Sequence, residues 1–214
     1  MLVLGLLIPI WWTREQQTGP LLALLMLELL LPLCVGAVAA GLLAGDPTLD
    51  LLLSAPQPLW RTLARRLAVV LGWGAVLGLI VQGGIDMWEL PLAVQGLSKV
   101  LIWATPMLFL TGVATAGALV RGQVTDGLIA ILAMLGWALF IMPYIRRVCA
   151  QAPSEQCAAA LVTPAMTLMR PLDRYWPLNR LIWLIAGLLL LAAGLALTSR
   201  EERLVQGARE GDEG

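Results

Sequence analysis

Ionisable groups set in apolar sequence are the places where this chain could do chemistry, and two stand out. Glu28 lies inside a long apolar run, and Lys99 stands at the mouth of another. A charge in hydrocarbon costs at least ~2.5 kcal/mol on insertion scales, so each is a functional candidate. Glu28 is the sharper one: it faces a polar cavity along a pathway, pairs with a basic group across a dimer, or stays protonated because desolvation disfavours its anion. Lys99 has the reach to snorkel to the headgroups. Neither belongs to a series along one helix, so a proton-driven pump has little support. Cys149 and Cys157 share one polar loop. They are close enough in sequence to bridge, or they stand as two thiols. A bridge persists only in an oxidising compartment and makes that loop extracytoplasmic.

Missing residues exclude as much. The chain has no histidine, which removes the commonest zinc ligand, the usual neutral-pH base and the haem proximal ligand. Lys99 is the only lysine, in the context Gln95-Gly96-Leu97-Ser98-Lys99-Val100, so the phosphate-cradling G-x-x-x-x-G-K-S/T pattern occurs nowhere. No catalytic, cofactor-binding or metal site is expected, and the chain by itself is not an enzyme. An intramembrane enzyme would need paired carboxylates, a histidine or a cysteine pair within a span, and none is present.

The elements that must position these residues follow from composition. Of 214 residues, 59% are apolar and 13% charged, with a mean hydropathy of +0.84. A soluble domain keeps roughly 25% of its residues charged, so the natural solvent of this chain is lipid. Fourteen basic residues balance fourteen acidic ones, leaving no charge excess to attract nucleic acid. Crossing a ~30 Å hydrocarbon core takes about 20 apolar residues in a helix. Five runs meet this, at 20–43, 67–85, 100–120, 128–145 and 178–198. A sixth, 2–12, is short unless it extends, the bilayer thins or the natural chain starts upstream. A cleaved signal peptide is the weaker reading there, since the basic leading region is absent. The expected fold is all-α and polytopic, with about six transmembrane helices in a single domain spanning residues 1–214.

Between the spans, residues 46–66 read as a short helix, a proline break at Pro56 and Pro58, and a second short helix beginning near Pro58. On that second helix Trp60, Leu63 and Leu67 fall on one face, with Arg61, Arg65 and Arg66 toward the other. This predicts an amphipathic rod lying at the membrane surface, in contact with lipid headgroups. Residues 146–177 are apolar between Ala158 and Met169 but broken by Pro164 and Pro171, which predicts a re-entrant segment or an interfacial loop. Basic residues divide evenly between the two sides, with Arg61, Arg65, Arg66, Arg121, Arg200, Arg203 and Arg209 on one and Arg14, Arg146, Arg147, Arg170, Arg174 and Arg180, with Lys99 near them, on the other, so charge asymmetry does not orient the chain. Gly41-x-x-x-Gly45, Gly74-x-x-x-Gly78 and Gly112-x-x-x-Ala116 mark faces for close helix packing, one of them a candidate dimer seam. Pro106 and Pro143 are expected to kink their helices.

The acid-rich start of this loop, then Leu51-Leu52-Leu53-Ser54-Ala55-Pro56, then a basic helix entering a span, resembles the first cytoplasmic loop of type-2 ABC transporter permeases. Asn179-Arg180-Leu181 and Arg200-Glu201-Glu202-Arg203 are similar to the "NRL … R-x-E-R" finish of that family. The likeness runs from about Glu28 to Leu204; the stunted first span and the lack of an amino-terminal amphipathic connecting helix depart from it. The resemblance implies the permease subunit of a bacterial exporter in the inner membrane, paired as a homodimer or with a related permease, and driven by a separate ATP-binding cassette subunit. It implies a cytoplasmic coupling helix whose docking residues are Ser54, Pro56, Leu59, Trp60, Arg61 and Arg65, a re-entrant external loop at 146–177 and a cytoplasmic tail at 199–214. A haem-exporter B-like subunit of cytochrome c maturation, and a non-transporting membrane anchor or assembly partner, are the alternatives.

Overall fold

The computed structural model describes residues 19–44, 59–87, 98–121, 123–151 and 176–212. Among them the chain is helical with no strand. In order they form α1 (Gly19–Leu25), a π-turn (Met26–Leu30), α2 (Leu31–Ala44), α3 (Leu59–Met87), α4 (Ser98–Arg121), α5 (Val124–Gln151) and α6 (Trp176–Asp212). A helix satisfies every interior backbone group within itself, which lets such apolar sequence leave water. Among the described residues four helices are long and apolar enough to cross a membrane: Leu22–Leu42, Leu59–Met87, Ser98–Leu119 and Trp176–Thr198. The chain is therefore a multi-pass membrane protein. The run expected at 128–145 falls within α5. The 2–12 run and residues 152–175 of the external loop lie outside the described residues.

The helices alternate in direction. Ala23 and Leu27 share a core with Val81 and Ile85 from the end of α3, Ile102 and Trp103 from the start of α4, and Trp176 from the start of α6. At the opposite end Ala39 meets Leu67 and Leu191, and Ala40 meets Ala114 and Ala118. Thus α2, α4 and α6 run one way and α3 the other; α5 also runs against α4, since Gly127 packs on the Ala114 carbonyl and Ala40 while Ile131 reaches Gly36. One end of the bundle carries Ala44, Leu59, Arg121, Val124 and Thr198, and the other carries Gly19, Met87, Ser98 and Trp176.

The most intimate crossing lies between α4 and α6. A Cβ added at Gly112 would stand 2.8 Å from the Gly187 carbonyl oxygen, and one at Gly187 would stand 2.8 Å from the Phe109 backbone. Only glycine lets two backbones come this close, which in lipid replaces the missing hydrophobic drive with dispersion contact. Gly74 and Gly78 do form a packing face, against Val35 and Met107 and against the Trp103 ring. Their neighbours lie in the same chain, while the space around Gly41 is open. α4 is the most enclosed of the four spanning helices and runs unbroken through Pro106. Its buried hydroxyls are served locally where the chain allows: Thr115 Oγ1 donates to the Gly112 carbonyl at 2.9 Å.

Candidate functional site

Glu28 sits in the middle of the π-turn, and Pro32 supplies the local reason. Proline has no N–H, and its ring presses on the carbonyl four residues back, here that of Glu28. Widening the turn relieves this pressure: the Leu31 N–H donates to the Met26 carbonyl, five residues back. The wide turn presents Glu28 to the interior, where it is 2% exposed. There its Oε1 accepts a hydrogen bond and ion pair from Nη2 of Arg180, itself 3% exposed.

Arg180 stands one turn into α6, and its surroundings come from three helices. Its Cζ lies 5.3 Å from the centroid of the Trp176 ring, within cation–π range. Its carbonyl accepts a long 3.4 Å contact from Thr105 Oγ1 of α4. Asn179 is also buried, and the indole Nε1 of Trp176 is buried with no hydrogen-bond partner among the described residues. Beside this cluster Trp103 Nε1 donates to Gln82 Oε1 at 2.9 Å, joining α4 to α3. Two expectations are corrected here. Arg180, counted among the surface arginines of one face, is enclosed within a span; and Glu28 finds its base in the same chain, not across a dimer. The signal that sequence offers is an acid and a base in separate apolar runs that enter the bundle from the same end.

Lys99 pairs with Asp86 at 2.5 Å, at the rim of the same end, where the two side chains are 24% and 44% exposed. Lys99, expected to reach for the headgroups, is held by a carboxylate.

The opposite end carries the other candidate surface. The helix expected to begin near Pro58 begins at Leu59, but it is no separate rod lying on the membrane: it continues without interruption as α3 to Met87. Nothing between Arg66 and Leu67 breaks the hydrogen-bond ladder, since no proline or turn sequence intervenes. Leu63 and Leu67 are buried as expected, whereas Trp60, on the same face but in the first turn of the helix, is 39% exposed. It lies beside Arg61, whose Cζ is 5.4 Å from the Trp60 ring centroid. Arg61 and Arg65 are exposed and Leu59 is half-buried. Ser54 and Pro56 lie outside the described residues, as does Cys157; Cys149 belongs to the helical end of α5, and its side chain is likewise outside them. Cys34 is a free, exposed thiol on α2. Among the described residues no group of three or more Asp, Glu, Cys or His side chains is arranged to hold a metal.

The chain matches no protein family, no curated protein and no solved structure. What stands is a multi-pass helical membrane protein with a buried ion pair near one end and an exposed aromatic–arginine surface at the other.

Proposed function

We propose that the chain is the membrane-spanning permease subunit of an ATP-binding cassette exporter of the bacterial inner membrane, working as a dimer and driven by a separate ATPase subunit. The observation that carries this reading is the continuity of α3. Trp60, Arg61 and Arg65 are exposed at its first turn, and Val81 and Ile85 near its other end pack in the core that holds Leu27 and Trp176. A helix under one unbroken hydrogen-bond ladder moves as a body, so a displacement at Arg61 reaches the neighbours of Glu28 and Arg180. The step is mechanical: the ATPase binds the exposed end differently in its open and closed states, and that difference shifts the bundle between conformations. The sequence likeness at Leu51-Leu52-Leu53-Ser54-Ala55-Pro56, Asn179-Arg180-Leu181 and Arg200-Glu201-Glu202-Arg203 supports the same assignment.

The test uses the full chain in lipid together with a separate cassette ATPase subunit. Arg61→Glu or Trp60→Asp is expected to cut the permease's stimulation of ATP hydrolysis by about tenfold or more, as charge reversal in a docking surface does, with membrane insertion intact. Lys99→Met, at the far end, is expected to leave stimulation unchanged. Full stimulation in both docking variants would remove the assignment.

A further inference from the structure

Near one buried end of the bundle two indole N–H groups have no hydrogen-bond partner among the described residues. Trp176, Arg180 and Trp183 follow one face of α6 at helical spacing. The indole Nε1 atoms of Trp176 and Trp183 are buried without partners among the described residues, and Trp176 as a whole is 4% exposed. An indole N–H can only donate, and a guanidinium can only donate. Three donor groups thus follow one face, and the carboxylate paired with the Arg180 guanidinium is Glu28. That carboxylate stands on the π-turn that Pro32 imposes.

We infer that Arg180, with the indole N–H of Trp176, forms a binding site for the anionic head of an amphiphile, a phosphate or carboxylate borne on an apolar chain, and that Glu28 is the resident acceptor such a head displaces. The apolar chain follows from the setting: Leu27, Ile85, Ile102 and Trp103 form the core around Trp176, and a bare oxyanion entering it sheds its water with no apolar contact in return. A fixed strut between the two spans would be served as well by apolar side chains of similar volume. Charges kept inside a membrane bundle instead mark the route of a ligand or ion. This deepens the exporter reading by naming the cargo class, and it rests on that reading only in calling the amphiphile cargo; the site itself is tested with no ATPase present.

The purified full chain, in discs of zwitterionic lipid, is titrated with decyl phosphate, decyltrimethylammonium and inorganic phosphate, and the shift in melting temperature gives each dissociation constant. Displacement makes an unusual demand: removing the resident carboxylate with Glu28→Gln is expected to tighten decyl phosphate binding by about tenfold and to leave decyltrimethylammonium unaffected. Trp176→Phe removes the indole N–H together with the pyrrole part of the ring, so it is expected to weaken decyl phosphate by about threefold while leaving decyltrimethylammonium binding unchanged. Unchanged or weaker decyl phosphate binding in Glu28→Gln, or tighter binding of the cation, overturns the site. Should Glu28→Gln fail to fold, undiminished binding in Trp176→Phe overturns it instead. An equal gain for inorganic phosphate overturns the amphiphile and leaves a free-phosphate site.

Discussion

Two ion pairs lie toward the same end of the bundle, and they differ in almost everything except charge. Glu28–Arg180 joins the first described span to the last and is sealed from solvent at both partners. Asp86–Lys99 links the end of α3 to the start of α4, across residues 88–97, and is open at both. The lesson is about surroundings. An exposed pair exchanges water for a partner at little net gain, whereas a buried one has no water to return to, so either member alone becomes a stranded charge. The exposed pair joins positions 13 apart in sequence, and the buried one joins positions 152 apart that only the fold brings together.

The contrast can be broken, beginning with the largest effect. Arg180→Leu is expected to cost about 3–5 kcal/mol by leaving the Glu28 carboxylate in an apolar core, while the double variant Glu28→Leu with Arg180→Leu recovers most of that loss; unfolding in mixed micelles measures both. A double variant as unstable as the single would show that the pair, and not the stranded charge, carries the stability. Next comes a change that touches no charge: Gly187→Leu forces side-chain atoms onto the Phe109 backbone and is expected to cost about 2–3 kcal/mol. If it is harmless, α4 and α6 are held by the buried cluster and not by close backbone packing. Trp103→Phe removes a half-buried hydrogen bond to Gln82 and is expected to cost about 1 kcal/mol. Smallest is Asp86→Asn, expected to fall within about 1 kcal/mol of the parent and to shrink further in high salt. A larger loss would mean that burial is not what separates the two pairs.

Much of the fold was legible in the sequence because hydrophobic length is a one-dimensional property. Four expected spans reappear with ends shifted by a few residues, or by eight at Leu59, and the Gly74–Gly78 face packs as its spacing suggests. The candidate sites were harder to read. Glu28 was visible as an expensive residue, yet its partner was not, since 152 positions separate it from Arg180 and nothing local to either run names the other. Trp60 was placed with Leu63 and Leu67 by helical spacing, but position 60 lies at the helix end, beyond the neighbours that cover positions 63 and 67. The expected rod was cut from its span at Arg66 because a change from basic to apolar residues looks like a boundary; in a helix it is only a change of surroundings.

Composition by itself determined that the chain enters lipid, that it does so as helices, and that it carries neither histidine nor a nucleotide-cradling motif, because each depends on residue type and run length alone. Tertiary structure decided which charge meets which, which glycines touch, and which arginines stay in the open. Those depend on the angle at which each helix faces its neighbours, a quantity that contacts between distant spans set once the bundle has closed.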